Sequence, residues 1–212
     1  MPRLAEPPRA LTHATLALGA RALARSDPDL AALLRRNGMP PMWARRLGFA
    51  TLIHIVLEQQ VSIAAARTLF LRLRQHLGGM SPQSVADFGI AGLQRFGLTR
   101  QKASYCHNLA IAVQDGQLDL GGISRASDAA GRDALLAMRG LGPWSVDIYY
   151  LMALRRPDVW PTGDLALAEA LRHVKRFAKR PDDSRQRAIS AGWAPWRSVA
   201  ARLLWHHYLN TP

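Results

Sequence analysis

The chain has 212 residues, 49% of them hydrophobic, which is enough for one domain, or one unit of two lobes, with a sizeable core. Its single cysteine, Cys106, excludes an intrachain disulfide framework and any cluster that needs four thiolates, and no apolar run reaches the roughly 18 residues of a membrane span. The formal net charge of +13 comes mostly from arginine, so we expect a polyanion such as nucleic acid as partner, unless the arginine merely reflects a biased genome.

The first predicted helix begins in the small apolar stretch "THATLALGARALARS". His13, Thr15, Arg21 and Arg25 interrupt that stretch, so it favours an amphipathic helix over the apolar segment of a secretory signal. Together with the single cysteine, this predicts a cytoplasmic protein.

Helical periodicity continues along the whole chain, and alternation bounded by hairpin turns is hard to find, which predicts an all-α fold. Glycine- and proline-rich breakers, such as "NGMPP", "GGMSP" and the pair "GG" at 121–122, separate the helices. The predicted helices are 9–24, 27–36, 47–57, 61–77, 81–88, 90–95, 99–115, 124–129, 131–138, 143–155, 164–176, 183–192 and 196–209.

Short loops between helices indicate a helical bundle, and we expect two lobes with a binding cleft between them. The predicted lobes are 47–155, which includes a hairpin at 139–142, and 1–46 together with 156–212.

The stretch "RGLGPWS" lies between two predicted helices. Gly140 and Gly142 permit a positive φ or a close backbone approach, Leu141 can point inward, and Pro143 suits a first helical turn. Such a bend suits a phosphate held by backbone amides. Glycine at the end of one helix and proline at the start of the next are also common where no ligand binds.

Twenty positions after Trp144, Asp164 follows "PTG" and leads an Ala/Leu-rich helix. A carboxylate there can simply cap the helix. If it also opens onto a cleft, it places a negative charge that can stabilise a cationic transition state. Asp147 and Asp158 are weaker candidates, the first on a helix and the second in a turn.

Five segments in order resemble the helix-hairpin-helix DNA glycosylases of base-excision repair, and most closely the bacterial DNA-3-methyladenine glycosylase II branch. They cover most of the chain from about residue 47 onward. The segments are "LEQQVSIAAA", "FGLTRQKASYCHNLA", "LLAMRGLGPWSVDIYYLMAL", "RPDVWPTGDLAL" and "WAPWRSVAARLLW".

The resemblance implies roles for residues in the hairpin and in the first segment. Gly140, Leu141 and Gly142 would hold a DNA phosphate, with a monovalent Na⁺ or K⁺ at the hairpin carbonyls near Arg139 and Leu141. Gln60 would be the wedge inserted into the duplex, although a solvated helix face explains glutamines there equally well. The other DNA-binding positions implied are Ser145, Gln59 and Ser62.

The resemblance also implies a catalytic role for Asp164 and a base pocket lined by Trp144 and Trp205, both of which could instead be core. Another pocket tyrosine of that branch falls at Ile148, so the substrate range can differ. Bifunctional relatives carry a lysine nucleophile where this chain has Trp144, which predicts a glycosylase without lyase activity. The extra N-terminal mixed α/β domain of larger relatives is not expected in a chain of this length.

The predicted function is therefore a monofunctional glycosylase that flips alkylated, cationic purines such as 3-methyladenine out of double-stranded DNA and hydrolyses the N-glycosidic bond. We expect a monomer, associated with the nucleoid in a bacterium, that needs no cofactor and no iron-sulfur cluster. The alternatives are a glycosylase of this fold for another damaged base, a non-catalytic DNA-binding module, and an arginine-rich helical interaction protein.

Overall fold

The computed structural model of the protein describes residues 9–210, and this part of the chain contains helices but no strands. The predicted all-α fold is therefore confirmed. The helices are α1 (His13–Ser26), α2 (Pro28–Asn37), α3 (Phe49–Glu58), α4 (Ile63–His76), α5 (Pro82–Arg95), α6 (Arg100–Gln114), α7 (Leu120–Arg125), α8 (Asp128–Leu136), α9 (Pro143–Ile148), α10 (Leu165–Val174), α11 (Asp183–Ala191) and α12 (Arg197–Asn210).

The helices group into two compact units. One unit, Arg45–Tyr149, contains α3 to α9 and is called the hairpin unit below. The other, called the aspartate unit, consists of the described parts of Met1–Ala44 and Tyr150–Pro212 and contains α1, α2 and α10 to α12. The two units meet at 44/45 and 149/150, and the predicted lobe boundaries, at 46/47 and 155/156, lie two and six residues further along the chain.

The hairpin unit is built around α3, whose sequence "FATLIHIVLE" is apolar on nearly every side. Helices α4, α6 and α9 all pack against it, and α5 pairs with α6. A helix that is apolar all round must be covered on several faces, so α3 forms the centre of this core.

The aspartate unit is built around α12, against which α1, α2, α10 and α11 pack. Gly19 allows α1 to approach closely, because a Cβ atom there would lie 2.7 Å from the indole of Trp196. The carboxylate of Asp27 joins three elements in this unit: it caps α2, accepts from Lys175 Nζ at 2.9 Å and accepts from Trp193 Nε1 at 2.9 Å.

Side-chain caps fix where several helices begin. Thr12 and Ser81 each form a reciprocal capping box, and Thr99 and Ser127 accept from backbone amides in the first turns of α6 and α8. These caps satisfy amides that have no partner within the helix, which is why small polar residues precede the helices.

The observed helices depart from the predicted ones around residues 121–129 and after Ile148. Gly121 and Gly122 do not break the chain but lie inside α7, where a Cβ atom on Gly122 would meet the Asp119 carboxylate at 2.3 Å. The helix predicted at 124–129 accordingly lies earlier, and Ser127 starts the next one. The helix predicted at 143–155 is α-helical only to Ile148, after which Tyr149–Ala153 form a π-helical segment.

No helix in the described part of the chain is long and apolar enough to cross a membrane.

Candidate functional site

The hairpin between α8 and α9 has two glycines with different surroundings. Gly140 has a φ of 99°, and a Cβ atom there would lie 2.3 Å from Cγ of Tyr105. Gly142 has an ordinary φ of −88° and nothing within 4 Å of its Cβ position. Leu141 is 3% exposed and points into the core, as predicted. Gly140 is therefore required by the fold, whereas Gly142 leaves open space above the backbone.

Gln59 braces the hairpin from inside the same unit. Its Nε2 donates to the Gly140 carbonyl at 2.8 Å and to the Ser145 hydroxyl at 2.9 Å. Ser145 is 2% exposed, so its hydroxyl is committed to this internal bond. The structure thus brings together three of the predicted site residues, Gln59, Gly140 and Ser145, as one hydrogen-bonded group.

Lys102 of α6 holds the other side of this group. Its Nζ donates to the carbonyls of Leu57 and Gln59 at 2.8 and 2.7 Å and so satisfies the carboxyl end of α3. Burial lowers the pKa of Lys102, only partly offset by Cys106. Sequence reasoning missed this lysine, although its register four residues before the buried Cys106 places it on the inner face of α6.

The turn between α3 and α4 presents Gln60 to solvent. Gln60 is exposed and has a φ of 58°, which is uncommon for a residue with a side chain. Ser62 caps α4 by accepting from the Ala65 amide at 3.2 Å. Gln60 is thus free to meet a ligand, and Ser62 contributes by starting the helix that follows.

Ile148, also predicted to line the base pocket, is 2% exposed and packs in the core. Trp144, on the first turn of α9, is half-buried.

In the aspartate unit, Asp164 begins α10. Its Oδ1 accepts from the Leu167 amide at 2.9 Å and from the Trp205 indole Nε1 at 3.2 Å. The predicted helix cap is therefore confirmed, and the same oxygen is tied to an aromatic ring. Two residues predicted for the site, 41 positions apart in sequence, are joined directly.

Trp205 belongs to an aromatic cluster that the sequence did not reveal. Trp43 meets Trp205 edge to face, with centroids 6.4 Å apart, and meets the His206 ring at 6.3 Å. Trp43 lies in a loop with no periodic pattern, so only its large aromatic side chain could have drawn attention to it. The Asp164 carboxylate is thus bonded to one ring, Trp205, which belongs to a cluster with Trp43 and His206.

The weaker aspartate candidates are engaged in ion pairs. Asp147 is 7% exposed and lies 2.6 Å from an Arg132 guanidinium nitrogen. Asp158 accepts two bonds from the Arg197 guanidinium, both at 2.7 Å. Both carboxylates are held by arginine, which explains their presence without a catalytic role.

The hairpin carbonyls are candidate ligands for a cation. The Gly140 carbonyl is already bonded to Gln59, which leaves those of Arg139 and Leu141 on either side. Carbonyl oxygens suit a hard cation, and the described residues contain no cluster of three or more His, Cys, Asp or Glu side chains that would hold another metal.

Cys106 is buried, which raises its pKa to about 12 and makes the thiolate unfavourable.

The model of the HhH-GPD superfamily base excision DNA repair proteins matches residues 53–195. A DNA-3-methyladenine glycosylase from Bacillus subtilis is 23% identical over 81% of this chain, and DNA-3-methyladenine glycosylase 1 from Schizosaccharomyces pombe is 26% identical over 74% of it.

The curated relatives are longer than this chain, which covers 66% and 59% of the lengths of two Bacillus subtilis proteins and 71% of the Schizosaccharomyces pombe one. Among solved structures, a 3-methyladenine DNA glycosylase of Schizosaccharomyces pombe in complex with abasic DNA is 25% identical, with a TM-score of 0.83 over 89% of this chain and 95% of that one.

Proposed function

Because the chain belongs to the HhH-GPD superfamily of base excision DNA repair proteins, we propose that it is a DNA glycosylase that releases alkylated, cationic purines such as 3-methyladenine. The observation that carries this proposal is the Asp164 carboxylate, fixed by the Leu167 amide and bonded to the indole of Trp205. A fixed carboxylate suits a cationic base whose departure leaves positive charge behind on the sugar.

The first step is to bring the damaged base out of the duplex, because its glycosidic bond is inaccessible inside the stack. The hairpin holds the backbone, and the open face of Gly142 lets a phosphate approach the amides closely. Gln60, exposed on the turn after α3, occupies the space that the flipped nucleotide leaves.

The second step is hydrolysis. The bond between the sugar C1′ and the base nitrogen breaks, its electron pair neutralises the cationic base, and the sugar gains oxocarbenium character. Asp164 stabilises that charge and orients a water molecule, whose oxygen bonds to C1′ while a proton is lost to solvent. The base leaves without protonation, so no second carboxylic acid is needed.

We propose that the protein has no lyase activity. Trp144 stands where a lysine nucleophile would follow the hairpin, and none of the chain's three lysines, Lys102, Lys175 and Lys179, lies at that position. Lys102 donates to two backbone carbonyls, and Lys175 is bonded to Asp27 and Asp29. An amine held in this way is a poor nucleophile for a Schiff base.

We also propose that the protein acts on double-stranded DNA as a monomer, at the nucleoid if the cell is bacterial, and without a redox or organic cofactor. A Na⁺ or K⁺ ion held by the carbonyls of Arg139 and Leu141 would add positive charge where the hairpin meets a phosphate.

The test is base release from duplex DNA that carries 3-methyladenine, 7-methylguanine, 1-methyladenine, hypoxanthine or ethenoadenine. We expect the released bases to include a cationic purine, the abasic strand to stay intact until alkali is added, and borohydride to trap no covalent complex. Release of a neutral base alone would assign the protein to another lesion. Specific binding to damaged DNA without release would make it a binding module.

A further inference from the structure

The aromatic cluster beside Asp164 contains an indole held in an unfavourable backbone conformation. Trp43 has a φ of 45°, a left-handed value that is a genuine outlier for a bulky residue. Such outliers persist only where the surrounding structure enforces them, and they concentrate at ligand-binding sites.

Arg202 enforces the conformation of this loop. Its side chain is fully buried in the aspartate unit, and its Nε donates to the carbonyl of Met42, the residue before Trp43, at 2.9 Å. The two Nη atoms donate to the carbonyls of Ser198 and Leu151 at 3.0 and 2.8 Å. Burial lowers the pKa of Arg202 to about 10. A buried guanidinium bonded to three carbonyls ties the loop to α12 and to the π-helical segment.

Trp205 links Trp43 to Asp164, because it contacts both residues. Trp205 is bonded to Asp164 and is only 8% exposed, so it has little ring surface left for a ligand. Trp43 packs on Trp205 at an interplanar angle of 77° and is half-buried, so it offers more accessible indole surface. His206 contributes a buried Nδ1 that has no hydrogen-bond partner among the described residues.

We infer that Trp43 is a substrate-binding residue that selects cationic bases by stacking its indole against them beside Asp164. The inference rests on the proposed function and adds a residue that neither the hairpin nor the resemblance assigns. Tryptophan is the best of the aromatic side chains for attracting a cation to its face. A neutral base gains only the stacking, so loss of the ring weakens binding of the cationic base more.

The test uses variants that change the ring but keep an apolar side chain. Trp43→Leu and Trp43→Met remove the aromatic face, and Trp43→Phe retains one. Trp160→Phe is the control, because Trp160 is another indole of the aspartate unit but is buried and packs on Trp193. Two non-aromatic variants are used so that the result does not depend on one of them folding, which far-ultraviolet circular dichroism checks.

Binding is measured by fluorescence anisotropy with duplexes that resist hydrolysis because a fluorine replaces the 2′-hydrogen. One carries 7-methylguanine, which is cationic, and the other carries guanine. We expect Trp43→Leu and Trp43→Met to reduce the preference for 7-methylguanine by about 2- to 30-fold. Trp43→Phe should reduce it less than the non-aromatic variants do, and Trp160→Phe should leave it unchanged.

The inference is overturned if the folded variants Trp43→Leu and Trp43→Met prefer the 7-methylguanine duplex as strongly as wild type does. It is also overturned if Trp160→Phe loses as much of that preference as they do. Release of methylated bases by the wild-type protein in parallel would then leave the proposed function standing. If the wild-type protein neither prefers 7-methylguanine nor releases any base, the proposed function fails and the inference fails with it.

Discussion

Replacing each hairpin glycine by alanine should separate the requirement of the fold from the requirement of DNA binding. At Gly140, alanine would have to adopt a φ of 99°, and its Cβ would lie 2.3 to 2.7 Å from Cγ, Cδ2 and Cβ of Tyr105. Those atoms lie near the tyrosine backbone, and the hydroxyl at its far end accepts from Gln101 at 2.6 Å, so the ring has little room to move.

The two costs at Gly140 have known sizes. A left-handed backbone costs a residue with a Cβ roughly 1–2 kcal/mol, and overpacking costs roughly 1–3 kcal/mol, so Gly140→Ala should lower the free energy of unfolding by about 2–5 kcal/mol. Gly142 has an ordinary φ and open space around its Cβ position, but it is the N-cap of α9, where alanine is less favourable than glycine, so Gly142→Ala should lower it by no more than about 1 kcal/mol.

DNA binding should show a different pattern. A methyl group on Gly142 occupies the space through which a phosphate approaches the amides, and a hydrogen bond to a charged group contributes about 1.5–3 kcal/mol. Gly142→Ala should therefore weaken binding to an undamaged duplex about tenfold or more at fixed salt. Urea unfolding and fluorescence anisotropy measure the two quantities. Wild-type stability in Gly140→Ala would show that the fold does not require this glycine, and wild-type affinity in Gly142→Ala would show that no phosphate approaches there.

Two further outcomes are expected in the hairpin unit. Burial lowers the pKa of His54 from 6.5, although Glu58 opposes this, so below about pH 6.5 the unfolded chain takes up a proton that the folded chain resists. The free energy of unfolding should therefore fall as the pH drops from 7 to 5. His54→Phe keeps an aromatic ring stacked on Phe70 and should reduce that fall. If the free energy falls equally in His54→Phe and wild type, His54 is not its source. Lys102→Met leaves the Leu57 and Gln59 carbonyls without their donor and should lower the free energy of unfolding by about 1–3 kcal/mol, whereas Lys102→Arg should lower it less. Equal urea midpoints for Lys102→Met and wild type would show that the lysine does not support the turn.

Local signals predicted much of the fold. Apolar periodicity and polar caps identified the ends of α3, α6, α10 and α12 to within two residues. Burial and capping depend on residues close together in sequence, so local patterns reveal them. The break at Gly89 in α5, where φ is 66°, also follows from the predicted helices at 81–88 and 90–95. The predicted break at Gly121 and Gly122 was wrong, because packing overrides the weak helix propensity of glycine.

The candidate site was less accessible to sequence reasoning, because its bonds join distant residues. The capping role of Asp164 is local and could be predicted, but its bond to Trp205 depends on how α10 packs against α12. The Lys102 bond to the Gln59 carbonyl spans 43 positions, and the conformation of Trp43 depends on Arg202, far along the chain. Such contacts are fixed by tertiary packing, which no local pattern encodes.

If the charge of Asp164 drives base release, Asp164→Asn should abolish it. Asparagine is also a good helix cap, so the variant keeps α10 while losing the charge. Asp182→Asn is the matched control, because Asp182 caps α11 through a comparable bond to the Arg185 amide at 2.8 Å. In single-turnover release from methylated duplex DNA, Asp164→Asn should be inactive yet bind DNA nearly as well as wild type, and Asp182→Asn should match wild type. Substantial release by Asp164→Asn would show that the negative charge of Asp164 is not needed for base release.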